Sequence, residues 1–226
     1  MKQSHDYIPA LRIHALTRLY DPVVARSTRE RAFKLALLEN LAPRSGQRIL
    51  DLGCGTGTFA LMVKRHEPEA EVVGLDADQA ILDLARRKIR SAGLTIDLKR
   101  GSALELPFED GSFDAISTSL FFHHLEHTAK VQVLNEVKRV LKPAGGLHVA
   151  DWGAPTDPAM SLASISIRVL DGFSPTADNF AGRLPDLVGA AGFADVTEGP
   201  RFRTIFGSIA VFSATKPPAE EELPRT

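Results

Sequence analysis

The stretch Ile49-Leu50-Asp51-Leu52-Gly53-Cys54-Gly55-Thr56-Gly57-Thr58-Phe59-Ala60-Leu61 constrains this chain more than any other. An apolar run with an acid in it meets three glycines at alternate positions, and an amphipathic helical pattern follows at once. Glycine has no Cβ and tolerates φ > 0, so the turn can be tight and another molecule can lie close to its backbone. The helix that starts there offers unpaired N–H groups to that molecule. The spacing excludes one reading. A dinucleotide fingerprint closes with Gly or Ala at its sixth position, and Thr58 stands there instead. With Asp51 just ahead of the glycines, a ligand carrying an amine is expected before one carrying a phosphate.

The remaining pattern alternates strands and helices. A helix is expected from a cap at Thr28 to Leu41, with Phe33, Leu37, Leu38 and Leu41 inward. Val72 to Asp76 reads as a buried strand ending in an acid. Asp78 is then the N-cap of a helix whose inner face is Ile81, Leu84, Ala85 and Ile89, closed by Gly93. The basic run Arg86, Arg87, Lys88 and Arg90 reads as the solvated end of that helix rather than an anion patch. Further strands are expected from Ile96 to Gly101, Phe113 to Ser119 and Leu147 to Asp151. A helix from Thr128 to Leu141 precedes the breaker Lys142-Pro143-Ala144-Gly145-Gly146. Residues 152–182 break the alternation as a helical insertion. A helix over 184–191 and a strand pair, Val196–Arg203 and Ile205–Ala214, complete the pattern. Such alternation calls for a mostly parallel sheet covered on both faces.

The glycine stretch resembles motif I of the class I S-adenosylmethionine-dependent methyltransferases, nearest to the ubiquinone/menaquinone-type C-methyltransferases. Two further segments carry the likeness. Asp76 lies at a strand end ~20 residues past the glycines, where related folds hold a ribose hydroxyl pair. Gly101-Ser102-Ala103-Leu104-Glu105-Leu106-Pro107-Phe108, followed by Phe113-Asp114, looks like the family's Gly-Asp-Ala…Leu-Pro-Phe…Phe-Asp segment. The resemblance covers about residues 45–150 and fades in the flanks.

It implies an α/β fold: a Rossmann-like, doubly wound, seven-stranded and mostly parallel sheet with helices on both faces and a C-terminal antiparallel strand. Length and local pattern give a single domain over 1–215, with residues 1–30 as an N-terminal helical lid, 152–182 as a helical insertion near the acceptor site and the Pro- and Glu-rich residues 216–226 as a disordered tail. The implied cofactor is S-adenosyl-L-methionine. Asp51 would serve its amine, with Gly53, Cys54, Gly55 and Gly57 forming the loop. Asp76 would take the ribose, Ala77, Ser102 and Ala103 would lie at the adenine, and Ser119 at the methionyl end. Ser102 departs from the family, which commonly has Asp there to receive the adenine amino group; a neutral hydroxyl in that place contributes ~0.5–1.5 kcal/mol. Tyr20, in Tyr20-Asp21-Pro22, resembles a lid tyrosine, and Phe121 and Trp152 would face the substrate. Trp152, Phe173 and Phe180 could equally pack the insertion onto the sheet.

The remaining polar residues are read from their chemistry. His123 and His124 titrate in the range useful to a general base, and the bland alternative buries one of them as a hydrogen-bonded core residue. Sequence neighbours on a regular element point apart, so the two are not expected to share an ion, and no metal is assigned. Cys54 is read as packing; as the only cysteine it also excludes a disulfide framework and argues against an arsenite methyltransferase, which relies on several.

Lys+Arg number 27 against Asp+Glu 28, so no net field draws in nucleic acid. No run approaches a membrane span, no secretory leader is evident, and a cytoplasmic setting is expected. The expected reaction is methyl transfer to a small, partly apolar acceptor through O, N, S or C; the oligomeric state is left open. Two rivals stand beside it. One is an adenosyl-cofactor-binding protein without catalysis. The other is an NAD(P)-dependent oxidoreductase, which Thr58 disfavours.

Overall fold

The computed structural model of the chain describes residues 29–219. Helix α1 (Glu30–Leu41) leads into β1 (Arg48–Leu52), α2 (Thr58–His66), β2 (Glu71–Asp76), α3 (Gln79–Ser91) and β3 (Asp97–Arg100). Strand β4 (Phe113–Ser119) is followed by a single 3-10 turn (Phe122–His124), α4 (His127–Val140) and β5 (Leu141–Gly153). The insertion holds α5 (Pro158–Asp171) and the short α6 (Ala177–Phe180); α7 (Leu184–Ala190), β6 (Ala194–Thr204) and β7 (Gly207–Thr215) end the fold. The strands form one seven-stranded sheet in the order β3-β2-β1-β4-β5-β7-β6. β1 pairs in parallel with both β2 and β4, whereas β7 is antiparallel to β5 and to β6, so β7 alone runs against the rest. The expected architecture is therefore present.

Alternation along the strands sorts the core into two faces. Leu50, Leu52, Val73, Leu75 and Ile116 pack with Val133, Leu134 and Val137 of α4 and with Leu184 and Val188 of α7. Ile49, Val72 and Ala115 pack on the opposite face with Phe33 and Leu37 of α1 and Phe59 and Val63 of α2. Burying both faces is what lets these strands read as nearly continuous apolar runs.

Local signals set several boundaries. Asp78 Oδ1 accepts the N–H groups of Ala80 and Ile81 at the start of α3, and Gly93, at φ 66°, lies just beyond its end. Within α3 it is Leu82, not Ile81, that is fully buried with Ala85 and Ile89, because the helix is rotated so that Ile81 reaches only the margin of the packing face. The cap expected at Thr28 lies outside the described residues, as does Tyr20. Strand β5 begins earlier than the breaker suggested. Leu141 already pairs with Phe113, and residues 142–145 bulge out opposite Asp114 before pairing resumes at Gly146. Lys216 is tied to that bulge, with its N–H on Gly145 O and its Nζ 2.6 Å from Leu141 O, so the sheet's hydrogen bonding extends into the segment expected as tail.

The insertion is fastened by a buried charge pair. Lys130 of α4 is fully buried, its Nζ 2.6 Å from Pro175 O and 3.4 Å from Asp178 Oδ2. Asp178 also accepts from His127 Nδ1 at 3.0 Å and Arg183 Nη2 at 2.8 Å. Removing one partner of such a pair leaves an uncompensated charge in the interior. Asp178→Ala is expected to lower the unfolding free energy in urea by about 3 kcal/mol, and Lys130→Met added to it is expected to restore most of the loss.

Candidate active site

The carboxyl ends of β1, β2, β4 and β5 lie side by side, and the chain reverses its direction of winding between β1 and β4. That switch opens a crevice where ligands of open α/β sheets bind. Three acids end or nearly end strands there: Asp51, Asp76 and Asp151.

Asp51 is 1% exposed. Its Oδ2 accepts the Ala60 N–H at 3.1 Å, in the first turn of α2, while buried Oδ1 has no partner among the described residues. Burial, against the pull of Lys34 and the Ala60 N–H, pushes its carboxyl up to about 7. Asp76 spends both oxygens on backbone: Oδ2 takes the Gly55 N–H at 2.9 Å and Oδ1 the Asp78 N–H at 3.0 Å. Burial raises its pKa above the ordinary value, against these donors. The acid of β2 thus holds the glycine loop of β1 in shape.

Gly53, Gly55 and Gly57 all have positive φ, and each meets a different demand. A Cβ at Gly53 would stand 2.5 Å from Cδ2 of Phe121, so the aromatic wall after β4 lies directly against the loop. A Cβ at Gly57 would meet Ala85 at 3.3 Å, which marks close packing of α2 on α3. Gly55 faces open space, with nothing within 4 Å. Cys54 is a packing residue. It is 8% exposed, its Sγ packs over Gly74, and burial drives its thiol far above the usual range, where it is no nucleophile. At the start of α2, Thr58 Oγ1 contacts Lys88 Nζ at 2.5 Å, so this member of the basic run is folded onto the loop rather than solvated.

The adenine-side candidates lie at the ends of β2 and β3. Ala77 is partly buried beside Asp76, and its carbonyl accepts from Arg100 Nε at 3.3 Å. Ser102 is exposed, and its Oγ accepts the Leu104 N–H at 3.1 Å, closing a turn that includes Ala103. Its acceptor capacity is therefore partly used. Ser119 ends β4, half-buried, opposite Ala150.

Asp151 organises the other half of the crevice. Its Oδ2 accepts the N–H groups of Phe121 (3.0 Å) and Phe122 (2.7 Å), and its Oδ1 meets the Trp152 N–H and His123 Nδ1, each at 2.7 Å. Burial alone would raise its pKa, but His123 and the backbone donors outweigh burial and hold it below the usual carboxylate range. An ionised carboxylate only accepts, so His123 donates through Nδ1. The ring is buried, as the bland alternative expected of one of the pair, and its Nε2 lies 3.7 Å from Asp171 Oδ2. The 3-10 turn brings the two imidazoles together, with ring centroids 3.9 Å apart and planes tilted by 43°. The expectation that these neighbours diverge therefore fails, because a 3-10 turn is neither the helix nor the strand it assumed. Burial, then the proximity of His123, pulls His124 down to about 3. Trp152 is buried, edge-on to His123 and stacked on Phe180 at 6.1 Å, so it packs the insertion while walling the site. Phe173 is exposed under Arg168 and does neither.

Two members of this group were not singled out in sequence. Asp151 carried a usable signal, an acid at a strand end like Asp51 and Asp76. Asp171, at the end of α5, carried none. It faces the histidines only because the insertion folds back.

This sheet order with a glycine loop after β1 and acids at successive strand ends is the class I methyltransferase fold. Residues 49–145 match the family model described as a methyltransferase domain. The chain is 42% identical over 134 residues to a demethylmenaquinone methyltransferase of Thermus thermophilus, a match spanning 59% of this chain and 58% of that protein. It is 32% identical over 155 residues to the enzyme of that name in Listeria monocytogenes, over 65% of each. The chain thus spans little more than half of the first curated relatives it matches. Among solved structures, a SAM-dependent methyltransferase of Aquifex aeolicus superposes with TM-score 0.65 at 19% identity, covering 92% of this chain and 99% of that one. A Haemonchus contortus phosphoethanolamine N-methyltransferase superposes with TM-score 0.70 at 18% identity, covering 89% of this chain and 57% of its own. These likenesses fix the fold.

The buried state of Asp51 has a pH signature. Its folded pKa lies above the unfolded one, so between about pH 4 and pH 7 the folded chain binds a proton that the unfolded chain releases, and stability falls as pH rises through that window. Asp51→Asn is expected to raise Tm by roughly 5 °C near pH 8 and to leave it nearly unchanged near pH 4, measured by differential scanning calorimetry.

Proposed function

We propose that this chain transfers a methyl group from S-adenosylmethionine to a small, partly apolar acceptor. One observation carries the reading: a buried, half-satisfied carboxylate, Asp51 Oδ1, beside a glycine loop that is open at Gly55 and held in shape by a second carboxylate, Asp76. An unmatched buried acceptor costs about 1–3 kcal/mol, and a cationic amine is the partner that offsets it. A pyrophosphate would meet two carboxylates here, and one N–H of the α2 first turn is already given to Asp51. The same features weigh against NAD(P).

Within this reading Asp51 holds the methionyl amine, the backbone of Gly53, Cys54, Gly55 and Gly57 lies along the cofactor, and Ser119 lies near the methionyl end. Asp76 takes the ribose hydroxyls, and Ala77, Ser102 and Ala103 border the adenine. Phe121 and Trp152 wall the acceptor side, with Tyr20 as a lid. The bound cofactor supplies an electrophilic methyl on a sulfonium. An acceptor held in line with that carbon would take the methyl as the carbon–sulfur bond broke, its electron pair staying on sulfur. The chain's own contribution is alignment and exclusion of water. His123, held by Asp151, presents Nε2 to take an acceptor proton where the acceptor enters protonated, and His124 is the second polar group at the same wall. A quinol-like acceptor fits the apolar wall, and the demethylmenaquinone methyltransferases among the relatives support it. The balanced charge favours a small molecule over nucleic acid. Among the described residues no helix is long and apolar enough to cross a membrane, and a cytoplasmic setting is part of the proposal.

Calorimetric titration with S-adenosylmethionine, S-adenosylhomocysteine and NAD tests the cofactor. Both adenosyl compounds are expected to bind and NAD not to, with Asp76→Ala weakening the adenosyl compounds at least tenfold. Binding of NAD alone would overturn the reading. Turnover of a quinol, phenol or thiol would separate an enzyme from a binding protein.

Ser102→Asp supplies a charged acceptor that can still close the turn onto Leu104 N. It is expected to tighten S-adenosylmethionine binding by about three- to tenfold in the same titration.

A further inference from the structure

Three side-chain atoms from two separate elements converge on the acceptor wall. His123 Nε2 lies 3.7 Å from Asp171 Oδ2, and His124 Nδ1 lies 3.7 Å from Asp171 Oδ1. His123, His124 and Asp171 each offer one ligand atom to a set lying within 4.8 Å of one another. These separations exceed hydrogen-bond reach, and among the described residues Asp171 accepts no hydrogen bond. An acid mostly withdrawn from water, with two imidazole nitrogens on it and no hydrogen bond to either, is an unfinished arrangement. A cation completes it. With bonds of ~2.1 Å, two ligands of a tetrahedral ion stand about 3.4 Å apart. Each imidazole nitrogen is 3.7 Å from its own Asp171 oxygen and the set lies within 4.8 Å, so small side-chain shifts would close it on an ion.

The geometry points to a site for a divalent first-row transition ion, Zn²⁺ in the first instance, held by His123 Nε2, His124 Nδ1 and a carboxylate oxygen of Asp171. Two further features support it. Asp151 binds His123 Nδ1 at 2.7 Å, which fixes the tautomer and leaves Nε2 as the ligand, the carboxylate–histidine–metal relay of many sites. The three protein ligands would also leave a coordination position open, as in sites that bind substrate rather than sites that only hold a fold together. The site lies beside Trp152, which is edge-on to His123. With the ion bound, His123 Nε2 would be a ligand and no longer a base, and a hydroxyl or thiol acceptor reaching the ion would instead lose its proton to water more readily. That last role rests on the methyl-transfer reading; the ion site itself does not.

The test uses the full, untagged chain, freed of metal with a chelator that is then removed. Titration with Co²⁺ is followed by visible ligand-field absorption and competed with Zn²⁺. One Co²⁺ per chain is expected, displaced by Zn²⁺, with a Kd of about 10 μM or tighter and an absorption band of four- or five-coordinate intensity. Asp171→Asn and His124→Ala should each weaken binding at least tenfold, and Asp151→Asn about 10–100-fold by freeing the ring of His123. Circular dichroism and S-adenosylmethionine titration of each variant report whether it is folded. No band in the wild type, or equal affinity in a folded Asp171→Asn chain, would overturn the site. If Co²⁺ binds and neither adenosyl compound does, the ion site stands and the methyl-transfer reading falls. If methyl transfer proceeds equally in chelator and in Zn²⁺, the proposed role in acceptor activation falls.

Discussion

Burying a carboxylate where a strand ends is costly, and this chain does so at three strands of one sheet. Asp51, Asp76 and Asp151 lie at or near the carboxyl ends of β1, β2 and β5. Burial leaves the pKa of Asp51 and Asp76 raised, whereas at Asp151 His123 and the backbone donors outweigh burial and leave it lowered. Each must find donors or a cation, or hold a proton. How each does so shapes the crevice. Asp151 is satisfied four times over, by three backbone N–H groups and a histidine. It therefore behaves as a structural anion and fixes the turn after β4. Asp76 is satisfied by two backbone N–H groups, those of Gly55 and Asp78, and so couples the glycine loop to the start of α3. Asp51 has one donor for two oxygens. The deficit is local, and it lies where the methionyl amine is proposed to sit.

This ordering distinguishes residues that shape the site from residues left over for a ligand. Glycines at alternate positions would serve either a nucleotide phosphate or an adenosyl cofactor, since both exploit close backbone approach. The carboxylates decide between them, because a pyrophosphate beside Asp51 and Asp76 would be repelled at a depth where water screens little. The same logic covers Cys54. Placed between glycines it sits close to the proposed ligand, yet its sulfur packs over Gly74, where burial, and after it the charges of Asp51 and Asp76, suppress its thiolate.

What was legible in the sequence follows from how far each signal reaches along the chain. The cap at Asp78, the stop at Gly93 and the strands ending in Asp51 and Asp76 rest on neighbours within a few residues, and the structure places them as expected. The order of elements sufficed for the seven-stranded sheet, because alternation leaves few topologies open. Signals that need tertiary context were misread. The inner face of α3 centres on Leu82 because packing against the sheet, not periodicity alone, sets its rotation. The start of β5 at Leu141 depends on a bulge opposite Asp114 that no turn signal describes. The histidine pair was judged by the geometry of regular elements, whereas it occupies a 3-10 turn pinned by Asp151. Lys130, four residues into a helix that looks exposed at its start, is buried only because residues 175–178 fold over it.

The insertion is the part least constrained by local sequence, and the chain spends its costliest polar contacts on holding it. Lys130 and Asp178 clamp α6 to α4, and Asn179 Nδ2 reaches Trp152 O at 3.3 Å, which ties the same segment to the end of β5. Between those ties runs α5, whose Leu162, Val169 and Leu170 are 64–73% exposed, so hydrophobic burial does little to seat it. Its last residue, Asp171, nonetheless lies against both histidines. The inner face of α5 is narrow, with Ile167 packed on the core and Ser164 buried against Gly207 of β7. The Asp157–Arg203 pair at one end and the segment leading from Asp171 to the Asp178 clamp at the other add to that seat. The position of Asp171 thus depends on contacts remote from the histidines. Weakening the clamp should loosen the acceptor wall before it disturbs the glycine loop, because Asp76 holds that loop without any contribution from the insertion.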